Sequence, residues 1–66
     1  WQMIGIITYM DIKNKHGYIL GADGIEYYFE FSSLDFSEHI LEEKLPVRFQ
    51  PRFKEKMAYA VAIFLA

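Results

Sequence analysis

The sequence contains no cysteine. Disulfide bonds, thiolate metal sites and cysteine nucleophiles are therefore all excluded. Because disulfides belong mainly to oxidising compartments, this composition favours a reducing, cytoplasmic setting. A chain of 66 residues is long enough for one domain. Such a domain buries only about 60% of the surface that its unfolded chain exposes. We therefore expect a single domain over residues 1–66 with modest stability.

Long apolar segments are also missing. The longest, Met57–Ala66, has about half of the roughly 20 residues needed to cross a bilayer. No basic start precedes an apolar run, so we expect neither a signal peptide nor a membrane partner. At 53% apolar and 18% aromatic residues, the chain is too hydrophobic to be disordered. It begins on Trp1 and not on methionine, which suggests a trimmed chain or a piece of a longer protein.

The chain has no excess of positive charge, since its formal net charge is −2. Such an excess would have indicated phosphate binding directly. The basic clusters are Lys13 with Lys15, and Arg48 with Arg52, Lys54 and Lys56, and the acids gather elsewhere in the sequence, at Glu38, Glu42 and Glu43. Local patches matter more than the total charge. The first two lysines and the two arginines are therefore candidates for phosphate contacts.

Five segments have the β-branched and aromatic composition of strands. They are Ile4–Met10, Lys15–Leu20, Ile25–Phe31, Leu45–Gln50 and Met57–Leu65. The sequence Gly21-Ala22-Asp23-Gly24 predicts a tight hairpin after the second strand. Three strands in a meander, a longer connection and two further strands are the order of an OB barrel. We therefore expect an all-β, five-stranded antiparallel barrel.

The other local signals concern bends and turns. Gly5 predicts a bulge or sharp bend in the first strand. Residues 32–44 are expected to form a long loop, in which Ser32 and Ser33 cap the start of a short helical turn and Ile40 and Leu41 dock on the barrel. Pro46 and Pro51 predict an edge position for the fourth strand, followed by a charged turn over residues 52–56. The alanines of the last segment also permit a helix.

Alternation along the third strand places aromatic rings on both of its sides. Tyr27, Phe29 and Phe31 point one way, whereas Tyr28 and Glu30 point the other. Only one side of a strand faces the interior of a small barrel. We therefore expect large rings to lie near solvent or near a partner.

Two motifs resemble those of cold-shock domains. Residues 5–11, followed by Lys15-His16-Gly17-Tyr18-Ile19, are similar to the opening of that family, and residues 27–32 are similar to its second motif. The segments 41–43 and 57–61 extend the likeness over nearly the whole chain. The resemblance implies an OB barrel that binds single-stranded RNA or DNA, as an RNA chaperone does, by stacking bases on surface rings. Carried over by position, the nucleic-acid-binding residues are Tyr9, Lys13, Lys15, His16, Tyr18, Tyr28 and Phe31.

Departures from the family pattern predict weaker binding than is usual for the family. Tyr9 replaces a tryptophan, His16 replaces a phenylalanine and Glu30 replaces a histidine. Tyrosine and histidine still stack, but a carboxylate on a surface for polyanions lowers affinity. Every base has a π-face, so an aromatic surface binds single strands with little sequence preference.

Other interpretations remain open for several residues. Tyr18 and Tyr28 would also fit as residues of the barrel wall with solvated hydroxyl groups. Alternation along the third strand would also place Phe31 in the core. His16 has no partner at metal-ligand spacing, and the adjacent Glu42 and Glu43 suit a solvated loop. We therefore expect no enzyme, no metal and no cofactor. The acidic balance leaves a second hypothesis, a protein-interaction or oligomerisation module, and leaves dimerisation open.

Overall fold

Five strands form a closed barrel in the computed structural model, which describes residues 1–66. The strands are β1 (Met3–Asp11), β2 (His16–Gly21), β3 (Glu26–Glu30), β4 (Pro46–Lys54) and β5 (Met57–Leu65). Their order around the barrel is β1-β2-β3-β5-β4, and β4 pairs back onto β1. The all-β, five-stranded prediction is confirmed, and the alanine-rich last segment is a strand. No helix in the structure is both long and apolar enough to cross a bilayer.

One strand pair is parallel, although the sequence predicted a purely antiparallel barrel. β3 and β5 run in the same direction and pair at Tyr28 and Tyr59. The other four neighbouring pairs are antiparallel. Directions cannot alternate around a closed ring with an odd number of strands, so one parallel pair is required.

The barrel interior is filled by the inward side chains of all five strands. The largest fully buried side chains are Tyr27, Phe29, Phe49, Ile7, Ile19, Ile63 and Val47. Rings from β3 and β4 meet in this core, because the centroids of Tyr27 and Phe49 are 5.0 Å apart. Burying a side chain of this size stabilises a fold by about 1.5–3 kcal/mol. The core is therefore the principal source of stability in a chain without disulfides.

The fourth strand is longer than predicted. It continues through Pro51 to Lys54, and the charged turn shrinks to the two residues Glu55 and Lys56. β1 pairs only with residues 46–49 of β4, so the second half of β4 has β5 as its single neighbour. A proline is tolerated in a strand with one free side. The predicted edge position is therefore right only for this half.

Two short 3-10 turns, Phe31–Ser33 and Glu38–Ile40, interrupt the connection between β3 and β4. Capping was predicted at Ser32 and Ser33, but the first turn has Glu30 at its N-cap and no side chain caps it. Ser37 caps the second turn instead, because its hydroxyl oxygen accepts a hydrogen bond from the backbone N–H of His39 at 3.2 Å. Leu41 is buried as expected, but Ile40 is exposed. The loop is therefore attached to the barrel through Leu41 together with Leu34 and Phe36, which pack partly buried against the core.

The pH dependence of stability should report on Tyr27, whose hydroxyl donates to the carboxylate of Asp23 at 2.6 Å. Burial, followed by the hydrogen bond to Asp23, raises the pKa of Tyr27 to about 12. Unfolded tyrosine titrates near 10, so the contribution of this group is complete below pH 10 and is lost as the pH rises towards 12. Urea denaturation at about pH 8 and about pH 11 should show a larger loss of stability in the wild type than in Tyr27→Phe. Equal losses would contradict the role given to this phenol.

Candidate functional site

Four rings form a continuous cluster on the outside of β1, β2 and β3. Tyr9, His16, Tyr18 and Tyr28 each contact two of the others, with ring centroids 5.7–6.4 Å apart. Tyr9 is 48% exposed and Tyr18 is 37% exposed, whereas the other two rings are half-buried. We call these four side chains the aromatic surface. The structure thus brings together four of the five predicted stacking residues.

The register of β2 and β3 explains how the rings meet. Tyr18 lies opposite Tyr28, and His16 lies opposite Glu30. Gly17, between the two outward rings of β2, faces inward. A Cβ atom there would lie 2.3 Å from the carbonyl oxygen of Tyr9 and 2.9 Å from the ring of Phe29. Only glycine therefore lets β1 and the core ring approach β2 this closely.

Tyr9 reaches the outer face because β1 contains a bulge. Ile7 lies opposite Ile19, but Tyr9 lies opposite Tyr18, so Thr8 is an extra residue in β1. The Thr8 hydroxyl is 3.3 Å from the carbonyl oxygen of Tyr18 and can donate to it. The bulge was predicted at Gly5, where the pairing with β2 is regular. Alternation alone would have turned Tyr9 inward.

Phe31 has a different environment from the four rings. It begins a 3-10 turn, is only 8% exposed and stacks on Phe29 with centroids 6.0 Å apart. It points into the core with Tyr27 and Phe29, as the alternation predicted. The ammonium group of Lys15 lies 5.8 Å from its ring centroid. Phe31 therefore offers little ring area to a base, and its stacking role stays a prediction.

The predicted lysines differ in their surroundings. Lys13 lies exposed in the turn between β1 and β2. Lys15 adopts a left-handed backbone conformation at φ 61° and forms an ion pair with Glu38. Glu38 is distant from Lys15 in the sequence, and the fold brings the two side chains together. An exposed ion pair of this kind is worth little, so a phosphate group can compete with Glu38 for the lysine.

Carboxylates border the aromatic surface. Asp11 lies 3.7 Å from Nε2 of His16, and its pKa is lowered first by the side-chain amide of Asn14 and then by the backbone N–H of the same residue. The Tyr28 hydroxyl donates to Glu30 at 3.3 Å. Burial, followed by the charge of Glu30, raises the pKa of Tyr28. These acids weaken the attraction of the surface for a polyanion.

The two candidate arginines lie on β4. Arg48 donates to Gln2 and packs on the ring of Phe64, and neither partner belongs to the aromatic surface. Arg52 donates to Gln50 and lies opposite Tyr59, which itself pairs with Tyr28. Arg52 is therefore connected to Tyr28 of the aromatic surface through Tyr59 in the strand pairing.

Sequence analysis missed Tyr59 and the groove beside it. A groove of about 350 Å³ lies between β3 and β5, lined by Tyr28, Phe29, Glu30, Ser33, Lys54, Met57, Tyr59, Ala60 and Val61. Alternation with the buried Ala60 would have turned Tyr59 outward, but the sequence does not say which strand lies beside β5. No three His, Asp or Glu side chains are grouped closely enough to hold a metal ion.

Comparison with known proteins shows the fold. No family model and no curated protein matches the sequence. Among the solved structures that match is one described as drosophila Unr CSD456, with a TM-score of 0.84 and 15% sequence identity. The match covers the whole of this chain and 27% of that chain. The barrel is therefore a cold-shock-like OB fold, as the sequence resemblance implied.

Proposed function

We propose that this cold-shock-like barrel binds single-stranded RNA or DNA by stacking bases on the aromatic surface. The observation that supports the proposal most is the contact of four solvent-accessible rings from three adjacent strands. Each base stacked on an aromatic side chain contributes about 1–3 kcal/mol. Bases in a duplex are already stacked and paired, so the aromatic surface is suited to the exposed bases of a single strand.

The charge distribution makes the binding weak and moderately dependent on salt. Lys13 is exposed and Lys15 is held by one exposed ion pair, so two cations are available at the end of β1. For single strands, each neutralised phosphate contributes roughly −0.7 to the slope of the logarithm of affinity plotted against the logarithm of salt concentration. Two such contacts predict a loss of about tenfold between about 50 and about 250 mM salt.

Such a binder is not an enzyme. It holds the open strand and has no binding surface suited to the duplex, so it shifts RNA towards the unpaired state by mass action. This is the action of an RNA chaperone, and a cytoplasmic setting belongs to the same proposal. The alternative, that the four rings are only part of the barrel wall, predicts no binding of single strands at any salt concentration.

Fluorescence anisotropy with labelled oligouridine and oligodeoxythymidine tests the proposal. Affinity should fall with salt as described. Glu30→His should raise the affinity about fivefold, because the repulsion between a nearby carboxylate and the phosphates costs about 1 kcal/mol in water. Glu43→His makes the same charge change in the exposed loop and should have a much smaller effect. Absence of binding at low salt, where phosphate attraction is strongest, would contradict the proposal.

A further inference from the structure

The groove between β3 and β5 continues the aromatic surface. Tyr28 belongs to both, and Tyr59 lies next to it in the strand pairing. The outward row Tyr9, Tyr18, Tyr28 and Tyr59 therefore crosses four strands at one level of the barrel. The volume of the groove, about 350 Å³, lies within the range of roughly 300–1,000 Å³ that is usual for ligand pockets. The groove can thus accept a flat ring in continuity with a strand on the aromatic surface.

Glu30 supplies a carboxylate to this groove. Its carboxylate accepts one long hydrogen bond, at 3.3 Å from the hydroxyl of Tyr28, and forms no ion pair. An ionised carboxylate is an acceptor only, and each oxygen has more than one acceptor site. Lys54 lines the same groove and provides a cation. An occupant that pairs with both groups must present hydrogen-bond donors at one end and a negative charge at the other.

The arrangement of donors distinguishes the four bases. Guanine presents two adjacent donors, N1–H and the N2 amino group, which match the two oxygens of a carboxylate. Uracil and thymine present a single donor between two carbonyl oxygens, which the carboxylate repels. Adenine and cytosine present one amino group next to an acceptor nitrogen. A bidentate pair with an ionised group is both stronger and more specific than a single hydrogen bond.

We propose that this groove is a guanine-selective subsite, in which the base lies against Tyr28 and Tyr59 and its N1–H and N2–H donate to Glu30. Lys54 would contact the phosphate of the same nucleotide. The inference rests on the proposed function and deepens it, because it turns the carboxylate from a general obstacle into a determinant of specificity. A strand would then bind with one guanine in the groove and its neighbours on the aromatic surface.

Three labelled RNA heptamers test the subsite at low salt: oligouridine, the same strand with a central guanosine, and the same strand with a central inosine, which lacks the N2 amino group. The wild type should bind the guanosine strand about tenfold more tightly than oligouridine, which corresponds to about 1.4 kcal/mol. Inosine should give an intermediate affinity. Glu30→Gln should bring the guanosine preference to about twofold or less, because an amide presents one acceptor and one donor.

Glu26→Gln is the matched control, since it removes the same charge from the other end of β3. It should leave the guanosine preference near tenfold, whereas Tyr59→Ala should weaken the guanosine strand more than oligouridine. Equal binding of guanosine and uridine strands by the wild type, or a full preference retained in Glu30→Gln, would overturn the subsite and leave the proposed function standing. Failure of every strand to bind would overturn both.

Discussion

Replacing Tyr18 and Tyr28 together by alanine is expected to weaken oligouridine binding by at least about 30-fold. The two rings lie opposite each other on β2 and β3, with centroids 5.9 Å apart, at the centre of the aromatic surface. Each stacked base is worth about 1–3 kcal/mol, so two lost rings remove roughly 2–6 kcal/mol of binding free energy. Both side chains point outward, and their loss leaves the buried core intact. Anisotropy at low salt measures the effect.

Phe53→Ala is the matched control for loss of an exposed ring. Phe53 is 65% exposed on β4 and belongs to neither the aromatic surface nor the groove. Its removal should change affinity by no more than about twofold, within the range of ordinary surface substitutions. Amide spectra of both variants should retain the dispersion of a folded barrel. Wild-type affinity in a folded Tyr18→Ala, Tyr28→Ala variant would show that these rings do not bind the strand.

Phe49→Ala is expected to leave most of the domain unfolded at 25 °C. Phe49 is fully buried and packs on Tyr27. Truncation of a buried phenylalanine costs about 3–5 kcal/mol, through lost burial and the cavity that remains. A domain of this size rarely has more than about 3–5 kcal/mol of stability from its core. Urea denaturation and near-ultraviolet circular dichroism measure the loss.

The same Phe53→Ala variant serves as the control for stability. It makes an identical substitution in the same strand, but at an exposed ring whose centroid lies 5.8 Å from that of Tyr27 in an edge-on arrangement. Its free energy of unfolding should fall by much less than that of Phe49→Ala. Comparable losses in the two variants would mean that burial, as the structure assigns it, does not govern stability in β4.

Local sequence patterns were sufficient to predict which side chains of β2 and β3 face outward. Alternation in both strands, together with the Asp-Gly turn between them, fixes which residues face outward, and Tyr18 and Tyr28 therefore lie where the sequence predicted them. A hairpin with a short turn has one favoured register. This part of the site depends only on residues that are close in sequence, which is why its position was predictable.

The position of Tyr9 depends on an interaction that local patterns do not contain. The bulge at Thr8 reverses the facing of the residues that follow it, and Thr8 can donate to Tyr18 or to Glu26 on neighbouring strands. A bulge is stabilised by such cross-strand contacts as well as by its own backbone. The glycine at position 5 was the stronger signal in the sequence, but its pairing is regular.

Long-range contacts account for the other differences. The ion pair of Lys15 with Glu38 joins residues 23 positions apart, and the pairing of Tyr28 with Tyr59 joins two strands that are separated by the long connection and β4. Neither is visible in a local pattern. Pro51 was interpreted as a strand end because proline lacks an N–H, but one side of that half of β4 has no partner strand. All three features depend on how segments that are far apart in the sequence are arranged.

The most direct test of base stacking on the aromatic surface is a titration of the isotope-labelled domain with short oligouridine, followed through backbone amide shifts at low and at physiological salt. Binding on the aromatic surface predicts salt-sensitive shifts at Tyr9, at residues 15–18 and at residues 28–31. Absence of shifts at low salt, or shifts confined to other faces of the barrel, would contradict it. The barrel would then be better interpreted as a protein-interaction module.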